Sequence, residues 1–286
     1  MKYIAKAKWA NENIEDKLRR GAEGIEIQLL NPEDEECLKD EYIIPESFRK
    51  YNIVCLHTPL MKENNFEIDV ADGRKWLPKV VNLAEKIISY TNKDINIVCH
   101  MQQSKQVLME VGLYDEIKEE FKQIALNHPR IIFNVENVIR LIGANDHVDF
   151  VKEINLPNVK TTLDVCHAMM TQDLTGRITD YGNYNHQAYK YVTVEDIFKA
   201  NEGVCGWIHL NNSKDTGEGF GCGTGHGAIF DEEDIVDMQY LEYIYKLIKL
   251  YTPDATICLE VREDDFFNCT GYSKTRSACQ RIFVAA

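Results

Sequence analysis

Short apolar runs recur along the chain, and each gives way to an amphipathic stretch before the next begins. The strand-like runs cover 2–8, 24–29, 52–57, 95–100, 131–136, 160–166, 206–210 and 256–261. Helical periodicity falls near 11–20, 33–40, 71–90, 104–127, 145–154, 194–201, 231–250 and 273–283, with the fourth broken at Gly112. Strand and helix in strict alternation imply parallel strands joined by crossovers. Eight such repeats without a Pro/Gly/Ser-rich linker predict one α/β domain over 1–286, a (β/α)8 TIM barrel. An open doubly wound sheet is the alternative arrangement of the same elements.

The polar residues that close the runs decide between these two. His57, His100, Glu136, Asp164, His209 and Glu260 each stand at or near the C-terminal end of a different run. A βα barrel gathers its chemistry on that face, whereas an open sheet would spread these residues along a crevice. Imidazole and carboxylate groups converging from separate strands are what a divalent cation requires, so all six are candidate ligands. Alternation along a strand puts Cys55 on the face of His57 and Cys258 on that of Glu260, and turns Cys99 away from the face of His100. These thiols read as packing. Past Asp164 the chain turns at Val165-Cys-His167, so His167 can reach over the barrel mouth. His226 lies in a stretch with glycine at every second position from Gly217 to Gly227, a backbone suited to a lid or to anion contacts.

Composition narrows the setting. A formal charge of −14 supplies no general attraction for polyanions, so nucleic acid is a disfavoured partner. Nine cysteines, an odd number with no CxxC pair, read as reduced thiols and predict a cytoplasmic location. No apolar run is long enough to span a membrane, and residues 1–9 carry no apolar leader core. The acidic runs Asn31-Pro-Glu-Asp-Glu-Glu36 and Asp231-Glu-Glu-Asp234 read as helix starts, where carboxylates complement the helix dipole. His128 and His147 read as structural or surface residues. Tyr181–Tyr191, with four tyrosines and His186, either caps a pocket or packs on its neighbours.

The order of ligands, Val135-Glu-Asn137, Leu163-Asp-Val-Cys-His-Ala168 and His209-Leu-Asn-Asn-Ser-Lys214 resemble the xylose isomerase-like TIM-barrel superfamily, over essentially the whole barrel. Two branches compete. The resemblance to sugar isomerases and epimerases implies one divalent metal (Mn, Zn, Mg or Co) on Glu136, Asp164, His209 and Glu260. Glu136 and Glu260 would then act as catalytic base and acid through an enediolate, with His167 orienting a hydroxyl. The resemblance to endonuclease IV implies additional zinc ions on His57, His100, His167 and His226. Against that branch, Thr224 replaces an expected Asp, the amino-terminal Gly-x-His-x-Ser is absent, and Glu33–Glu36 would repel phosphates.

The leading expectation is a metal-dependent isomerase or epimerase of a small sugar, polyol or keto acid. A multi-zinc phosphoesterase is the alternative, and a non-catalytic ligand-binding barrel is a third. Lys214, Arg262 and His186 are expected to contact the carbohydrate-like substrate, with Arg140 as a further rim cation. No organic cofactor is expected, and a homo-oligomer is left open.

Overall fold

Eight parallel strands close on themselves in the order β1-β10-β7-β6-β5-β4-β3-β2. The strands are β1 (Tyr3–Ala7), β2 (Gly24–Gln28), β3 (Ile53–His57), β4 (Ile95–His100), β5 (Ile131–Glu136), β6 (Val159–Asp164), β7 (Cys205–Leu210) and β10 (Thr256–Leu259). A small antiparallel pair, β8 (Asn212–Ser213) with β9 (Gly225–Gly227), lies outside the barrel. The computed structural model describes residues 2–29, 44–58, 73–100, 105–137, 146–169, 190–191, 193–213, 225–227, 238–261 and 270–285. The expected helix 33–40 and the first turns of 231–250 lie outside the described residues.

Helices follow the strands as the periodicity predicts, at Asn11–Arg19, Gly73–Thr91, Lys105–Glu110, Tyr114–Asn127, His147–Ile154, Val194–Ala200, Met238–Tyr251 and Thr270–Ala285. The break at Gly112 has a backbone cause: its φ of +74° is left-handed, which ends one helix before the next starts at Tyr114. The helix at Val194 begins at a capping box, in which the Thr193 side chain accepts from Asp196 N–H and the Asp196 carboxylate accepts from Thr193 N–H. Two elements differ from the sequence reading. Residues 46–50 form a 3-10 turn, and β6 ends at Asp164 with a short helix over 165–169 in place of strand to 166.

Two apolar layers result. The larger lies between strands and helices, with Ile25, Ile97, Phe133, Leu163, Ile208 and Ile257 facing outward to the helices. Inside the barrel Ile4, Cys55, Val98, Trp207 and Cys258 form a separate packed layer. Strand alternation then places Lys6, Glu26, His57, His100, Glu136, Asp164, His209 and Glu260 above that layer, towards the C-terminal ends of the strands. At Gly24 the neighbouring strands leave no room for a side chain: a Cβ there would sit 2.7 Å from both Ile4 and Ile53. Among the described residues no helix is long and apolar enough to cross a membrane.

Candidate metal centre

His209 stands at the middle of the polar layer and is fully buried. Its Nδ1 lies 3.0 Å from Glu136 Oε1, 3.3 Å from Glu260 Oε2 and 3.7 Å from Asp164 Oδ2. Its Nε2 lies 2.9 Å from Glu26 Oε2, an oxygen that also accepts from Trp207 Nε1 at 2.7 Å. The ring is thus oriented by Glu26 on one side and turns its other nitrogen to three carboxylates. Burial works against a charged His209, but Glu26, Glu260 and Glu136 outweigh it and hold the imidazole well above its ordinary range. Burial likewise works against ionised Glu136, yet His209 and His100 hold that carboxyl well below its ordinary range.

Asparagines fix the carboxylates. Asn211 Nδ2 donates to Asp164 Oδ2 at 3.0 Å and to Glu260 Oε2 at 3.1 Å, and Asn137 ties to the Asp164 backbone in both directions. His57 and His100 sit beside this group, with Nε2 atoms 3.3 and 3.2 Å from Glu136 Oε2. His57 Nδ1 lies 3.0 Å from Thr58 O and 3.2 Å from Gln28 Nε2, and the ring stacks on His209 with centroids 5.7 Å apart. Burial and then the nearby Lys6 charge push His57 below its ordinary range, towards the neutral form.

The donor chemistry fits a divalent ion. One ligand atom from each of Glu136, Asp164, His209 and Glu260 falls within 4.8 Å of the others, and the same holds for His57, His100 and Glu136 and for Glu26, His57, His209 and Glu260. Oxygen and imidazole donors of this kind suit Mn, Zn, Mg or Co. The proton that His209 holds between carboxylates is the one a cation would displace.

The expected residues divide as follows. Glu136, Asp164, His209, Glu260, His57 and His100 come together. His167, on the short helix after β6, joins their edge: its Nδ1–H donates to Asn137 O at 2.8 Å and lies 3.8 Å from both Glu136 Oε1 and Asp164 Oδ1. His226 is on β9, and its side chain lies outside the description. Lys214, Arg262, His186 and Arg140 lie outside the described residues, as do Glu33–Glu36. His147 is buried, and His128 pairs with Glu85 at 2.8 Å near the surface.

The sequence reading missed Lys6 as a site residue. Its Nζ lies 2.6 Å from Glu26 Oε1 and 2.5 Å from Glu260 Oε1, and it donates to Gln28 Oε1 at 3.0 Å. Burial opposes its charge, but Glu26 and Glu260 hold the ammonium well above the usual lysine range. Glu26, inside β2, holds His209, Trp207 and Lys6 together. The signal was parity: Lys6 and Glu26 are register partners and share the interior face.

The protein is therefore a closed (β/α)8 barrel with a buried carboxylate and imidazole cluster at the C-terminal face of its strands. Its fold is similar to those of several solved (β/α)8 barrel proteins. A xylose isomerase domain protein from Planctomyces limnophilus aligns with TM-score 0.62 at 10% identity, covering 99% of this chain and 95% of that one. Endonuclease IV from Thermus thermophilus aligns with TM-score 0.60 at 14% identity over 100% of both chains. D-Psicose 3-epimerase from Clostridium cellulolyticum, solved with D-tagatose, aligns with TM-score 0.59 at 12% identity, covering 100% of this chain and 98% of that one. Identities this low establish likeness of fold. Neither a scan of protein-family models nor a search of curated proteins finds a match.

Proposed function

We propose that the protein is a divalent-metal-dependent isomerase or epimerase acting on a small sugar, polyol or keto acid. One observation carries the reading: Glu136 and Glu260 flank His209 Nδ1 at 3.0 and 3.3 Å, on strands separated by β6 and β7, with Asp164 completing the set. A divalent ion held by Glu136, Asp164, His209 and Glu260 would supply Lewis acidity towards adjacent substrate oxygens. Glu136 and Glu260 then have the roles of base and acid. One takes the proton from the carbon beside the carbonyl, and the other returns a proton from the opposite face.

Asn211 keeps Asp164 and Glu260 in register for this, and Glu26 keeps His209 from rotating. His167, held by its Nδ1–H bond to Asn137 O, has the role of orienting a substrate hydroxyl. Lys214, Arg262 and His186 remain the candidates for substrate contact. The solved epimerase with D-tagatose favours a ketose as the first substrate to try. Protein loaded with Mn2+ and incubated with ketohexoses in deuterated water should place deuterium on the carbon beside the carbonyl, and Glu260→Gln should abolish it. Absence of exchange across ketoses, inososes and keto acids would overturn the reading.

A second reading, a multi-zinc phosphoesterase, is favoured by the approach of His57 and His100 to Glu136. Their Nε2 atoms lie 3.3 and 3.2 Å from Glu136 Oε2, and one donor atom from each of the three residues falls within 4.8 Å of the others, a set suited to a further cation. The expected outcome is no incision of an abasic-site duplex by zinc-loaded protein at low salt, where electrostatic attraction is greatest. Cleavage that is lost in Glu260→Gln would replace the first reading with this one.

A further inference from the structure

Lys6 divides the oxygens of two glutamates between two tasks. Its Nζ engages Oε1 of both Glu26 and Glu260, at 2.6 and 2.5 Å. The other oxygens face the opposite way: Glu26 Oε2 holds His209 Nε2 and Trp207 Nε1, and Glu260 Oε2 meets Asn211 Nδ2 and His209 Nδ1. The ammonium sits at an acidic pole whose residues form a further ligand set, sharing His209 and Glu260 with the first, since Glu26, His57, His209 and Glu260 each bring a donor atom within 4.8 Å of the others. Lysine is a compact point charge on a flexible stem, and its side chain here is only 10% exposed.

We infer that Lys6 is a built-in cation that takes the place of a metal ion at the pole formed by Glu26, His57, His209 and Glu260. The inference rests on the metal-site reading above and goes beyond it, by assigning a latent ion site and the residue that keeps it closed. Two cations a few ångströms apart repel strongly where little water screens them, so ammonium and divalent ion exclude each other at this pole. A second effect follows for the neighbouring set. With Oε1 engaged by Lys6, Glu260 offers Asp164, Glu136 and His209 a single oxygen, which narrows how an ion there can be held.

The test counts ions rather than turnover. Metal-free protein is titrated with Mn2+ alone and the bound ion is measured per folded chain at saturation, with circular dichroism confirming the fold. Lys6→Met should bind about one more Mn2+ than the wild type, and Lys6→Arg, which keeps the charge, should bind the same number as the wild type. Adding Glu26→Gln to Lys6→Met should remove the extra ion. Mn2+ should also raise the melting temperature of Lys6→Met more than that of the wild type, because bound ion replaces the missing positive charge. Equal stoichiometry in Lys6→Met and wild type overturns the inference, as does an extra ion that survives Glu26→Gln. A wild type that binds ion normally while Lys6→Met gains none sinks the latent site and leaves the isomerase reading standing. A wild type that binds none overturns both.

Discussion

Glu26 Oε2 lies 2.9 Å from His209 Nε2, and both residues are fully buried. A carboxylate behind a metal-binding imidazole fixes its tautomer and raises its basicity. Here it leaves Nδ1 as the nitrogen aimed at Glu136, Asp164 and Glu260. Glu26→Gln should therefore keep the fold and weaken metal affinity about 10- to 100-fold, measured by competition with a chelating dye. Unchanged affinity would show that Glu26 serves packing alone.

His57 and His100 test whether the cluster extends beyond the four-residue set. Under the isomerase reading they orient substrate, so replacing both with Ala should leave metal content unchanged and lower kcat/KM about tenfold or more. Loss of one ion per chain would instead support the phosphoesterase reading.

How much of this was legible depended on where a polar residue fell in its strand. At strand ends, His57, His100, Glu136, Asp164 and His209 interrupt apolar runs, and an interruption at the same place in successive strands is visible without coordinates. Lys6 is different. Tyr3-Ile-Ala-Lys-Ala-Lys8 alternates apolar and basic residues in the way a strand with one solvated face does, and only closure of the barrel turns that face inward. Glu26 was hidden likewise, since a mid-strand carboxylate gains its meaning from Trp207 and His209, more than 180 residues away. His167 was legible as a turn residue, but its bond to Asn137 O depends on a helix that starts at 165, where the apolar Val165-Cys166 read as more strand.

Asp146 gives a pH prediction outside the cluster. Burial raises its carboxyl to about 7, against the pull of the Lys105 backbone N–H that it accepts at 2.9 Å. An acid whose folded value lies above its unfolded value near 4 stabilises the fold below that lower value. The contribution is lost as pH rises through about 7. Asp146→Asn, which can still accept from Lys105, should flatten this slope and raise stability at pH 8 by on the order of a few kcal/mol. Parallel denaturation curves for both proteins between pH 4 and 8 would argue against it.

Trp207 offers a test of the inner apolar layer. Trp207→Ala should cost about 3–5 kcal/mol, read as a fall in thermal midpoint of about 10 °C. Trp207→Phe should cost less, because it keeps the ring against Ile4, Cys55, Val98 and Cys258 and loses the bond to Glu26. If Phe proved as damaging as Ala, the hydrogen bond rather than the packing would account for the loss.

That inner layer also sets a traffic rule. Among the described residues, Ile4, Cys55, Val98, Trp207 and Cys258 fill the barrel beneath His209 and Asp164, so an ion or substrate would reach the cluster from the C-terminal side. Whatever lodges deepest must arrive first and depart last. An ion seated against Asp164 and His209 would be trapped under any substrate above it, so ion exchange should slow as substrate saturates the protein, and the two should bind in an obligatory order.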